Sequence, residues 1–77
     1  MAVEKELLNE QVQIERKLFL FELRENMRGR FLRVTEDVGG HRDTIIIPAP
    51  GLRQIRDAVD RAFEADRRAG PFEPVEE

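Results

Sequence analysis

The hydrophobic period of this chain changes at Pro48, and that change limits the possible folds more than any other feature. Before Pro48 the apolar residues follow strand patterns; after it they recur at helical spacing. Val12 and Ile14 alternate with Gln11, Gln13 and Glu15, which predicts a half-buried first strand. Lys17-Leu18-Phe19-Leu20-Phe21-Glu22-Leu23, dense in aromatic and aliphatic side chains, predicts a second, and Arg30 to Thr35 a third. Thr44-Ile45-Ile46-Ile47 predicts a short β-branched fourth strand ended by Pro48. Asn26-Met27-Arg28-Gly29 and Gly39-Gly40 carry the chemistry of the turns between strands. Past Pro48, Leu52, Ile55, Val59, Ala62 and Phe63 form one apolar helical stripe, with Pro50 at the start and Gly70-Pro71 at the end.

The expected fold is therefore α+β, a four-stranded antiparallel meander followed by one C-terminal helix. Residues 1–9 read as an N-terminal arm or short helical turn, 10–69 as the folded unit, and 70–77 as an acidic flexible tail. Seventy-seven residues give a small core, which rarely contributes more than about 3–5 kcal/mol. With no Cys and a single His, His41, neither disulfides nor a zinc-type cluster can supply the rest. A partner chain is the expected support.

Side-chain parity sorts the strands into faces. Phe19, Phe21, Leu23, Leu32 and Val34 form the apolar set and are expected to face the helix. Leu18, Leu20, Glu22, Arg24, Phe31, Arg33 and Thr35 lie on the open side, a mixture of aromatic and cationic groups suited to base stacking and phosphate contact. The formal charge of −3 conceals a basic middle. Residues 16–33 hold six basic side chains against two acidic ones, and the remainder holds seven against fourteen. Counterion release responds to such local clusters of cations.

The run Arg24-Glu25-Asn26-Met27-Arg28-Gly29-Arg30-Phe31-Leu32-Arg33 resembles the signature turn of the PUR repeat, the unit of Pur-alpha-type single-stranded nucleic-acid-binding proteins. The resemblance runs in register from about Glu6 to Arg68 and includes the aromatic second strand, Gly-Arg-Phe and the closing helix with Phe63. It implies a repeat that intertwines with a second one. In the short single-repeat bacterial members, which this chain resembles, that means a homodimer. It also implies binding of purine-rich, G-rich single-stranded DNA or RNA, with a duplex-destabilising or regulatory role. Arg24, Asn26 and Arg28 stand at the family's basic–Asn–basic contact positions, Phe31 at its stacking aromatic, and Arg33 at a further basic position. Leu20 stands where the family often carries an aromatic, and Arg24 where Lys is usual.

Other features have structural readings. Asn26 and Gly29 suit a tight turn, Arg30 a salt link, Glu22 a pairing with Arg24 or a cross-strand Arg, and His41 plain surface. Asp43 beside His41 lacks a nucleophile or metal complement, so neither catalysis nor a cofactor or small-molecule substrate is expected. No apolar run reaches the roughly 18–20 residues of a membrane span, and a cytoplasmic location without membrane contact is expected. The alternative to nucleic-acid binding is a dimerisation or protein-interaction module that keeps the fold alone.

Overall fold

A computed structural model describes residues 3–75; the first two residues of the expected arm and the last two of the expected tail lie outside them. Four strands form one antiparallel sheet in the order β1 (Lys5–Ile14), β2 (Lys17–Asn26), β3 (Gly29–Val38) and β4 (His41–Pro48). A single 3-10 turn, Ala49–Gly51, leads into α1, Leu52–Ala69. Gly70, at φ 74°, ends the helix and donates its N–H to the Arg67 carbonyl at 3.2 Å, while Arg67 and Arg68 sit favourably at the negative end of the helix dipole. The ββββα order is the one that the periodicity predicts.

The register also bears out the face assignment. Phe21 lies opposite Val34 and Leu23 opposite Leu32, while on the other face Glu22 lies opposite Arg33 and Arg24 opposite Phe31. From β4, Ile45 and Ile47 join the apolar face, opposite Val34 and Leu32. Two of the three hairpins are the expected ones. Gly39 and Gly40 both take positive φ, 58° and 88°, as a two-residue turn between twisted strands requires.

Three expectations need correction. First, residues 5–9 are strand, neither arm nor helical turn. β1 is an edge strand, exposed along its whole length, so its pairing with β2 leaves no buried alternation for the sequence to display. Second, Glu15 is a turn residue at φ 54° and does not continue the strand; the Gln13 side-chain amide donates to its carbonyl at 2.9 Å. Third, the helix does not cover the apolar face of its own sheet. It packs chiefly on the short turn before it, and the molecule is elongated at 60 × 30 × 18 Å.

Among the described residues no hydrophobic side chain is buried. Leu8, Val12, Ile14, Val38 and Ile45 are exposed on the apolar face of the sheet, as are Ile55, Val59 and Phe63 along the helix. Two apolar surfaces therefore stand side by side in one chain with neither covering the other.

Candidate nucleic-acid interface

The face away from the apolar set is ordered by carboxylates. Glu22, in the middle of β2, takes a bidentate pair from Arg33, with Nε to Oε2 at 2.9 Å and Nη2 to Oε1 at 3.0 Å. Its Oε1 also accepts from Arg24 Nη1 at 3.2 Å. Glu22 thus pairs with both arginines that the sequence offers as its partners. Arg24 has two more carboxylate partners, Glu4 through Nε and Glu6 through Nη1, the latter at 3.3 Å. Further along the face the Thr35 and Thr44 hydroxyls bond at 3.1 Å, and Thr35, at 6% exposure, is the one buried residue among those described.

Glu6 reaches Arg24 because β1 is irregular. The register slips between Glu6 and Leu8, so Leu7 is unpaired and Glu6 lies directly opposite Arg24. Unbroken alternation from Leu8 would turn Glu6 to the apolar face. The bulge re-aims it, as bulges at sheet edges commonly do.

The Arg33 hydrogen bonds hold the Glu22 carboxyl below its ordinary value of 4.5, against an opposing effect of burial, and the Arg24 charge adds to the lowering. The same pairing pushes the Arg33 guanidinium upward. A carboxyl whose folded pKa lies below its unfolded one stabilises the fold fully above the unfolded value. That contribution is lost as pH falls through the lowered folded value. Glu64, lowered by Arg67 and Arg68 on the helix, acts in the same direction. Glu22→Gln should therefore flatten the loss of stability on acidification below about pH 5, read as urea midpoints across a pH series. Parallel curves for variant and parent would remove Glu22 from the account.

At the β2–β3 hairpin the geometry differs. The Arg28 backbone N–H donates to Asn26 Oδ1 at 2.8 Å, closing the turn, and Gly29 takes φ 144°. Among the described residues no carboxylate pairs with the Arg28 side chain. Arg30 lies on the opposite parity and donates twice to Glu25, at 3.0 and 2.8 Å, the structural salt link expected of it. Phe31 stands half-buried next to the hairpin, opposite Arg24 on one side and Pro48 on the other.

The five candidate residues thus divide into two groups. Asn26, Arg28 and Phe31 border one shallow concavity; Arg24 and Arg33 are joined through Glu22. Ile46 and Pro48 of β4 share the concavity, and the sequence reading gives neither of them a place in the site. Three isoleucines in a row were the available signal, since Ile45 and Ile47 satisfy the apolar face and leave Ile46 on the other. Among the described residues no group of three or more His, Cys, Asp or Glu side chains is placed to hold a metal ion. No described helix is long and apolar enough to cross a membrane.

Residues 2–68, from before the first strand almost to the end of the helix, match the model of the PurA ssDNA and RNA-binding protein family. The chain belongs to the PurA family. Curated relatives agree with that membership. Transcription factor Pur-alpha 1 of Arabidopsis thaliana is 47% identical over 47 residues, 61% of this chain and 16% of the relative. Human purine-rich element-binding protein gamma is 29% identical over 90 residues, 91% of this chain and 26% of the relative. Human transcriptional activator protein Pur-alpha is 28% identical over 71 residues, 91% of this chain and 22% of the relative. This PurA chain therefore spans about a quarter or less of the length of each of these relatives. The basic–Asn–basic turn and its Phe lie within the matched segment, so the hairpin concavity is part of the family unit.

Proposed function

We propose that this PurA-family chain binds single-stranded, purine-rich DNA or RNA across the sheet face carrying Phe31. A second copy of the chain covers the opposite, apolar face. The observation that carries the first part is the donor inventory at the hairpin. Asn26 Oδ1 is taken by the Arg28 backbone N–H, which leaves the side-chain Nδ2 group as the donor that Asn26 can offer. The Arg28 guanidinium has donors only. A pocket edge made of donors favours a base edge made of acceptors. Guanine offers O6 and N7 together, whereas adenine pairs its N7 with an amino donor. Phe31 beside these donors supplies a stacking surface, the usual means of holding an unstacked base. The name of one relative, purine-rich element-binding protein gamma, supports this direction.

The second part rests on the uncovered apolar surfaces of sheet and helix. A second copy offers both in complementary form, a helix stripe for each sheet. Sedimentation at micromolar concentration should give twice the chain mass.

The binding test is fluorescence anisotropy with a G-rich single strand across a salt series. Each phosphate neutralised on a single strand contributes about 0.7 to the slope of log K against log salt. Arg28→Ala should lower the slope by about that amount. Arg24→Ala should lower it less, because Glu4, Glu6 and Glu22 already balance Arg24. No measurable affinity at low salt would overturn the reading and leave the dimerisation or protein-interaction module as the function of the fold.

A further inference from the structure

Resting on the reading of this face as a single-strand surface, we infer that Ile46 and Pro48 extend the stacking surface of Phe31 into a pocket for a single base. The register sets the two β4 residues on the same face as the candidate site, with Pro48 opposite Phe31 and Ile46 opposite Arg33. Their neighbours on that face of β4 are polar and engaged. Arg42 pairs with Asp37 at 2.9 Å, and Thr44 bonds Thr35. Ile46 is 53% exposed on this otherwise polar side and cannot contribute to the apolar face, which belongs to Ile45 and Ile47. A branched aliphatic side chain left in water beside an aromatic ring and a guanidinium has no packing role within the chain.

The concavity bounded by Ile46, Pro48, Phe31, Asn26 and Arg28 measures about 280 Å³. That is below the roughly 300–1,000 Å³ of sites that enclose drug-sized ligands. Its size suits one flat ring system and not a folded segment of chain. The lining specifies the occupant's chemistry. Phe31, Ile46 and Pro48 give apolar surface for the ring, and Asn26 and Arg28 give donors for the ring edge or the adjoining phosphate. The occupant is one unstacked nucleobase of the bound strand. Ile46 and Pro48 are specificity-determining in a limited sense: they favour a base over an empty sugar at that position.

The test compares Ile46→Thr with the parent chain on two ligands, a G-rich single-stranded DNA and an abasic strand of the same length. Threonine keeps the β-branch and so the strand, and circular dichroism checks that it does. The expected result is a loss of roughly fivefold in affinity for the base-bearing strand, the low end for a stacking contact, with no change for the abasic one. Pro48→Ala should repeat the pattern more weakly. Equal affinities of variant and parent for the base-bearing strand overturn the pocket, as does an equal loss on both strands. If the parent chain itself binds neither strand, the nucleic-acid reading falls and the pocket falls with it.

Discussion

Phe63→Asp is expected to abolish the proposed homodimer and, with it, the folded sheet. Phe63 lies at the far end of the helix stripe and is 73% exposed in the single chain; Val59, one turn earlier, is 60% exposed. Covering a large apolar side chain contributes about 1.5–3 kcal/mol. A two-fold dimer uses the residue twice, so the variant should lose about 3–6 kcal/mol of association free energy. That raises the dissociation constant by roughly two to four orders of magnitude. Few other contacts can compensate, because no hydrophobic side chain among the described residues is buried within one copy. The readouts are sedimentation and thermal melting at several concentrations. The parent melting temperature should rise with concentration, as mass action requires for folding linked to assembly. Phe72→Asp is the matched control. Phe72 is 88% exposed past the end of the helix, and the variant should sediment and melt as the parent does. A Phe63→Asp chain that behaves like that control would show the stripe to be plain surface.

Apolar surfaces left uncovered within one chain explain both what the sequence makes legible and where it fails. The strands β2 to β4 and the helix announce themselves by period, because their apolar residues are chosen for surfaces that something must cover. The alternation of Phe21 and Leu23 with Glu22 and Arg24 is enough to assign faces, and the register agrees. What covers those faces is a different matter. Periodicity records that Leu32 and Val34 need a neighbour; it does not record what supplies it. The expectation that the chain's own helix would do so fails at Ala49–Gly51, a connection of one short turn. The first half of β1 was hidden for the opposite reason. Lys5, Glu6 and Asn9 are exposed edge residues held by backbone pairing, which leaves no hydrophobic alternation. The Glu15 turn carries neither Gly nor Asn, and its positive φ is unusual for such a residue. The candidate residues and the Glu22 pairing were legible by type and parity, but the other two carboxylates on Arg24, Glu4 and Glu6, were not. Their position depends on the bulge at Leu7, a one-residue irregularity with no marker in the sequence.

That bulge leads to the second large expected effect, a gain of binding. Glu4→Gln combined with Glu6→Gln should raise affinity for a G-rich single strand by about 2- to 30-fold at low salt. Arg24 stands directly opposite Phe31, where a base stacked on the ring would bring its phosphate near. It is held by Glu4 just before β1, by Glu6 in β1 and by Glu22 from its own strand. A phosphate must displace these carboxylates or share the guanidinium with them. Glu4 and Glu6 are the natural ones to yield. Each is about two-fifths exposed, whereas Glu22 is 17% exposed and fastened to Arg33 as well. An exposed ion pair is worth about 0.2–1 kcal/mol, so removing two competitors gives the stated range. The salt slope should steepen by about 0.7 as one more cation becomes available to a phosphate. A general effect of charge is separated by Asp66→Asn combined with Glu73→Gln, which changes net charge equally but lies on the helix and beyond it. If that control raises affinity as much as the Glu4/Glu6 variant, the gain is long-range electrostatics and the bulge has no part in it. If only the Glu4/Glu6 variant gains, the edge strand tunes the affinity of the face it borders. The local count of basic residues then overstates how readily the face accepts an anion, because Glu4 and Glu6 sit on the arginine that must let them go.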